Sequence, residues 1–367
     1  MVSGYYGFGN AGDELILGVL CEALAAHQVT VLSADPERTA DEFGVAAVRR
    51  FDVSGIWRAL GRADLLVSGG GGLLQDATGP GSVPYYLGVI GMARARGRRV
   101  MVYAQGVGPI RKPWARAGLG LLRGVAAATV RDPESRELLQ RAGVGHVEVT
   151  ADAALALPRP SGSPPPELRS LGLDPGRAVL GVAPRPYGGA GFSARLAEAI
   201  RQVVQRTGVR VLLVPMQRRE DTGACLDLHE RLGRDAVMLP ADVSPARYPA
   251  VFAACDAVVG MRLHALILAA LGRVPAVGLG YDPKIRAFAQ SLQPDVADLP
   301  LESPAAALAA AVVERLAPDP DRAPRLDGAV SELQRLAARN NDILRDLLAA
   351  TPQRHRVRPG GSDLRRS

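Results

Sequence analysis

Short apolar runs alternate with longer stretches whose apolar positions recur at helical spacing. Residues 29–32, 63–68, 99–104, 126–131 and 146–150 read as buried strands, with helices such as 13–26 and 84–96 between them. Strands that alternate with helices in this way predict parallel sheets built from βαβ units. The pattern breaks at 158–175, which is rich in Pro, Gly and Ser and reads as a linker. It resumes at 178–183, 209–215, 236–239, 257–260 and 276–280. An amphipathic helix, roughly 327–349, follows the proline-containing stretch 318–324. No short fixed repeat is present.

The expected fold class is therefore α/β, with two doubly wound Rossmann-like domains facing across a cleft. The expected limits are 1–157 for the first domain, 158–177 for the linker and 178–326 for the second domain. The helix follows at 327–350 and a basic tail at 351–367. Open α/β sheets bind ligands beyond the carboxyl ends of their strands, so two facing sheets would share one crevice.

Composition narrows the function classes. A chain of 367 residues suits two domains, and 47% hydrophobic content is ordinary for a globular protein. Aromatic residues are only 4%, which argues against a base-stacking nucleic-acid surface. Cys21, Cys225 and Cys255 show no paired spacing, so neither a disulfide framework nor a zinc site is expected, and a reducing compartment fits. The net charge is +7, but the tail holds Arg354, Arg356, Arg358, Arg365 and Arg366 against Asp363, more than half of that excess. The body is only mildly basic, and a nucleic-acid partner does not follow from the charge. The tail is expected to be a solvated, disordered segment, with peripheral contact to anionic lipid as the alternative. Neither a signal peptide nor an apolar run long enough to span a bilayer is read, so a cytoplasmic protein is expected, at most at the inner face of the membrane.

Four segments carry candidate chemistry. In the opening Gly-Tyr-Tyr-Gly-Phe-Gly-Asn-Ala-Gly-Asp-Glu, Gly7, Gly9 and Gly12 satisfy a dinucleotide-type glycine spacing before a helix. Asp13 and Glu14 would repel a pyrophosphate there, and only residues 1–3 precede the motif, so the usual first strand is hardly present. A loop facing the cleft, with Asn10, Asp13 and Glu14 toward sugar hydroxyls, is the preferred reading over a plain turn. The run Ser68-Gly69-Gly70-Gly71-Gly72-Leu73-Leu74-Gln75-Asp76 follows a buried strand. It reads either as a flexible turn or as backbone, at Gly71 and Gly72, that a ligand approaches closely, with Gln75 and Asp76 as hydrogen-bonding groups.

Arg262 and His264, in Gly-Met-Arg-Leu-His-Ala-Leu, are expected in the first helical turn after the strand 257–260. Free N–H groups and the helix dipole favour an anion at such a junction, and arginine grips phosphate or carboxylate with two N–H groups. A capped helix with a satisfied histidine is the alternative. Gly-Tyr-Asp-Pro-Lys follows another apolar strand and carries Lys284, one of only two lysines in the chain. Arg131 and Arg185 end strands on the same carboxyl edges.

These motifs, in this order from residue 3 to about residue 290, resemble those of the bacterial polysaccharide pyruvyl transferase family. The matching stretches are the opening motif, Ser-Gly-Gly-Gly-Gly-Leu-Leu-Gln-Asp, Gln-Gly-Val-Gly-Pro (which contains Gln105), Val-Arg-Asp and Arg-Leu-His. The subgroup resembled is the cell-surface-anchoring type, which modifies the cell-wall polymers that hold S-layer proteins. The resemblance implies a GT-B-like fold, phosphoenolpyruvate as donor, and a hexose acceptor, lipid-linked or soluble, that gains a 4,6-linked pyruvate ketal as phosphate leaves. It implies no further cofactor and no metal. It places the family's donor-site residues on Arg131, Arg262, Leu263, His264 and Lys284, with Arg185 as an added cation. The near-absent first strand departs from the family and implies either a trimmed sheet edge or a start a few residues inside.

Phosphoenolpyruvate bears a carboxylate and a phosphate on one small frame, and three or four cations suffice to hold both ends. In that mechanism His264 is general acid or phosphate partner, because it alone among the candidates has an ordinary pKa near neutrality. Arg131, Arg262 and Lys284 neutralise the departing phosphate. Asp13, Glu14, Gln75 and Asp76 serve the acceptor, one carboxylate acting as base. Competing readings are a GT-B glycosyltransferase using a nucleotide sugar, a non-catalytic sugar- or nucleotide-binding scaffold, and a dehydrogenase.

Overall fold

The computed structural model describes residues 1–350 apart from 77, 78, 80, 162, 163, 174, 175 and 281. The tail 351–367 and parts of the expected linker thus lie outside the described residues.

Eight strands form the first sheet: β1 (Val2–Tyr6), β2 (Thr30–Ser33), β3 (Ala46–Arg49), β4 (Leu65–Ser68), β5 (Gly71–Leu74), β6 (Arg99–Val107), β7 (Ala127–Val130) and β8 (Glu148–Val149). Their order is β3-β2-β1-β4-β6-β7-β8, with β5 added beside the end of β6, and every pairing is parallel. Six strands form the second: β9 (Val179–Ala183), β10 (Arg210–Leu213), β11 (Ala236–Met238), β12 (Ala257–Gly260), β13 (Ala276–Gly280) and β14 (Val296–Pro300). Their order is β11-β10-β9-β12-β13-β14, again all parallel. The strand order reverses between β1 and β4 in one sheet and between β9 and β12 in the other. Loops leaving such neighbours diverge and open a crevice at the carboxyl ends.

Alternation along single strands shows that helices cover both faces. Leu65 and Val67 of β4 point into one core while Leu66 points into another. Val179 and Ala183 of β9 likewise oppose Leu180 and Val182. The inner core is shared. Leu15, Ile16 and Leu20 of the helix Ala11–Ala23 pack in one cluster with Ala153–Ala156 residues, with the apolar helix Leu263–Leu271 and with Val330, Ala337 and Leu344. The two sheets are therefore joined by apolar packing, not only by a linker.

The last helix, Arg322–Ala349, spans both units. Near its start Arg325 pairs with Asp295 at 2.7 Å. Toward its end Asn340, fully buried, accepts from Thr150 Oγ1 at 2.8 Å and donates to the Ala151 carbonyl at 3.1 Å. Arg159, from the linker, reaches the same helix at Asp327, Ser331 and Gln334.

Two expectations need correction. The first strand is not missing, and the sheet is not trimmed there: Val2–Tyr6 lies in the middle of the sheet between β2 and β4. It escapes an apolar-run search because it reads Val-Ser-Gly-Tyr-Tyr. The glycine run is not simply a turn either, because Gly71–Leu74 pairs with Gln105 and Val107 as β5. Strands β3 and β14 were not anticipated. Both are half-exposed at sheet margins, and β14 lacks a continuous apolar run. Among the described residues no helix is long and apolar enough to cross a membrane.

Candidate active site

The carboxyl ends of the two sheets meet, and ionisable side chains from both gather there. Arg131 follows β7 and His264 lies at the start of the helix Leu263–Leu271 after β12. Lys284 lies in the first turn of the helix Pro283–Ser291, after β13. Between Arg131 and His264 sits Asp152, four residues from Glu148 at the start of β8. Arg131 Nη1 is 2.6 Å from Asp152 Oδ2, and His264 Nε2 is 3.5 Å from Asp152 Oδ1. The second contact joins the two sheets. Lys284 crosses the gap as well, its Nζ donating to the Gly108 carbonyl at 3.2 Å.

Glycines make room for this cluster. A Cβ on Gly106 would lie 2.6 Å from Arg131 Nε, and one on Gly12 only 1.8 Å from His264 Nδ1. A Cβ on Gly72 would lie 3.2 Å from Lys284 Nζ and 3.7 Å from Arg131 Nη2. Gly71, at φ +95°, would put a Cβ 2.7 Å from Asp13 Oδ1, and its carbonyl accepts from Gln105 Nε2 at 2.9 Å. The glycine run thus brings bare backbone against two cations and a carboxylate, a use for which side chains are too large. Among the described residues His264 Nε2, Arg131 Nε and Gln105 Oε1 are buried with no hydrogen-bond partner. Buried polar atoms are rarely left unpaired, and a bound anion or hydroxyl would supply partners for these.

Electrostatics separate the two buried carboxylates. Burial raises Asp13 to about 6, an effect that His264 partly offsets and the neighbouring Asp152 charge reinforces. Burial would raise Asp152 too, but His264 and Arg131 outweigh it and hold that carboxyl well below the usual range. Burial, then the Arg131 charge, lowers Lys284 to about 8. Two carboxylates pushed apart in this way are suited to different proton-transfer roles.

Other expected residues are occupied elsewhere. Arg262 is the N-cap residue, one position before the helix, not inside its first turn. Its guanidinium forks onto Asp221, with contacts of 2.6 and 3.1 Å, and reaches Glu220 at 3.0 Å. Glu14 accepts from the N–H groups of Gly7 and Gly9, and burial raises it to about 7. It braces the opening loop. Asp76 accepts from the N–H groups of Arg111 and Lys112. Asn10 caps the helix Ala11–Ala23 through the Gly12 N–H and pairs its backbone with Gln217 of the second unit. Leu263 packs partly buried against the shared core. Arg185 lies just beyond β9, its backbone N–H directed at Met261 Sδ. Gln75 lies one residue past β5.

Asp152 was not foreseen. Its signal was its place, two residues past an expected strand at 146–150 on the same carboxyl edge as the other candidates. An aspartate among alanines offers no motif of its own.

The architecture recurs in solved proteins at low identity. A glycosyltransferase from Rickettsia africae superposes with a TM-score of 0.64 at 11% identity, covering 95% of this chain and 98% of that one. Anabaena HepE, solved in complex with UDP and glucose, gives 0.64 at 14% identity over 95% and 98%. The UDP-GlcNAc 2-epimerase of Neisseria meningitidis, bound to UDP-GlcNAc, gives 0.59 at 11% identity over 95% and 99%. At such identities the likeness shows the fold, a GT-B-like pair of Rossmann-like units. No curated protein matches the sequence. The sequence model of the polysaccharide pyruvyl transferase family matches residues 10–283, including the loops that carry Asp13, Arg131, Asp152 and His264, and the chain belongs to that family.

Proposed function

We propose that this transferase moves the pyruvyl group of phosphoenolpyruvate onto a hexose of a saccharide acceptor as a 4,6-ketal, releasing phosphate. The convergence of Arg131 and Lys284, one from each sheet, on the backbone of Gly72, with His264 facing Arg131 across Asp152, carries this reading. A small donor with two anionic ends matches such a buried basic corner better than a neutral sugar does. Arg131 and Lys284 hold the anionic groups, and Asp152 orients Arg131 and His264 against each other. Arg262 steadies the Arg-Leu-His loop through Asp221.

In the reaction C3 of the enol takes a proton, with His264 as donor, and a sugar hydroxyl oxygen bonds to C2. Asp13, ionised above its raised pKa, accepts the hydroxyl proton. The second hydroxyl then attacks C2, and the C2–O bond to phosphate breaks. Of the two hydroxyl protons, one is balanced by the new methyl group and the other by the departing phosphate. Positive charge already in place stabilises that leaving group. The acceptor is lipid-linked or soluble saccharide of a cell-wall polymer, of the surface-anchoring kind, and the enzyme works in the cytoplasm.

A phosphate-release assay with phosphoenolpyruvate and a panel of β-hexosaminides tests the proposal. His264→Ala is expected to lower turnover by about 10²–10⁴-fold with the fold intact by circular dichroism. Normal turnover in that variant would remove His264 from the mechanism. The second reading, a nucleotide-sugar glycosyltransferase, takes support from Anabaena HepE holding UDP and glucose in the same fold. Consumption of a UDP-sugar without phosphoenolpyruvate turnover would favour it.

A further inference from the structure

Between Asp76 and Asp132 the sequence contains no acidic residue and nine basic ones. The structure gathers part of this excess on one outer surface of the first unit. After β6 the chain forms the short helix Pro113–Gly118 and the turn Leu119–Leu122, both packed on the helix Ser82–Ala95. Ala115, Leu119 and Leu122 point inward, fully or almost fully buried. Arg111, Lys112, Arg116 and Arg123 point outward. Trp114 and Leu121 stand among them, 48% and 45% exposed.

Two features suit this surface to an anionic partner. Among the described residues none of these four side chains makes an ion pair, and Asp76, held by the N–H groups of Arg111 and Lys112, is the carboxylate beside them. Some exposed arginines elsewhere are neutralised locally, as in Arg141–Glu137, Arg231–Asp227 and Arg335–Glu332. Two of the four cations are also held in place. Arg116 Nε donates to the Ile110 carbonyl at 2.9 Å, and Arg123 Nε to the Ala142 carbonyl at 2.7 Å. Arg94 of the long helix donates to the Leu121 carbonyl at 2.6 Å, adding a fifth cation beside the apolar pair.

We infer that this face docks on an anionic phospholipid bilayer. Exposed cations that make no ion pair match an anionic lipid surface, and each adds to the attraction. Trp114 and Leu121 have a use only where the partner offers an apolar layer beneath its charges. A tryptophan with a polar edge is at home in that layer. Nucleic acid would leave Leu121 without a partner. The seat is coupled to the site described above, because Asp76 joins the N–H groups of Arg111 and Lys112 to the end of the glycine run. The inference does not depend on which reaction the site performs.

Co-sedimentation of the full chain with vesicles tests it. Vesicles of equal parts phosphatidylglycerol and phosphatidylcholine are compared with phosphatidylcholine alone. Binding is expected only to the anionic vesicles and is expected to weaken with added salt. Replacing Arg111, Lys112 and Arg116 together by Gln is expected to weaken it about a hundredfold. Replacing all five tail arginines by Gln is expected to leave most of it. In a Trp57→Phe background, Trp114 emission is expected to shift to the blue on binding. Three results would each overturn the inference: no binding to anionic vesicles, equal binding by the triple variant, or Trp114 emission unchanged in the bound state. Unaltered thermal melting of the triple variant excludes misfolding as the cause of lost binding.

Discussion

His264 and Gly12 form the tightest fit in the site, an imidazole lying where any larger residue would put its first carbon. Gly12→Ala is therefore expected to displace the ring and to reduce phosphate release as severely as removing the histidine. Because Gly12 also lies inside a helix, alanine there favours helix in its own right. Stability should thus fall less than activity, which thermal melting beside the turnover assay would show. Lys284 yields a second expectation. Its ammonium titrates near 8, so charge needed for donor binding is lost as pH rises through that value. Asp13 must lose a proton near 6 to act as base. The rate at low phosphoenolpyruvate should therefore peak between about 6 and 8. An alkaline limb that appears only in the ordinary lysine range would separate Lys284 from the donor. Residue types were legible in the sequence where a motif framed them, as with Arg131, His264 and Lys284. Partners were not. Glu14 and Asp76 have the chemistry of ligand-binding carboxylates, but backbone N–H groups nearby in space claim both.

Strands flanked on both faces by helices were the most legible elements, since burial on two sides demands an unbroken apolar run. Ala257–Gly260 and Ala276–Gly280 match their expected limits. Val2–Tyr6 and Gly71–Leu74 did not announce themselves, because close packing near the site favours small or polar residues over β-branched ones. The helix Arg322–Ala349 was legible as an amphipathic segment but not in its role. Its Asn340 is a buried polar residue that satisfies groups on the first sheet. Asn340→Ala would leave Thr150 Oγ1 and the Ala151 carbonyl short of a partner and is expected to cost about 1–3 kcal/mol. Arg339→Ala, one position away, removes only an exposed pair with Glu148 and should cost less than about 1 kcal/mol. Chemical denaturation of the two variants compares them directly, and equal losses would mean that Asn340 contributes no buried hydrogen bonding.

Two units joined by a polar interface often unfold separately. Here one apolar cluster draws on both sheets, the helix Ala11–Ala23 and the final helix, so the units are expected to unfold together. The two tryptophans permit a clean test, since Trp57 and Trp114 both belong to the first unit. Their fluorescence reports that unit, while far-ultraviolet circular dichroism reports both. Coincident urea transitions are expected, and a fluorescence transition displaced from the dichroism would show independent units. That two Rossmann-like units exist was legible from the alternation of elements. That they share a core was not, because the amphipathic pattern of a helix does not say which neighbour its apolar side meets.

The chain passes between the two units twice, once ahead of β9 and once along the final helix, and Arg159 stitches the passages together at Asp327. Bodies fastened both at such a crossing and along a common apolar core have little freedom to part. Any widening of the gap between Asp152 and His264 would have to open that shared core as well as part Arg159 from Asp327, so the two walls of the site keep a fixed spacing.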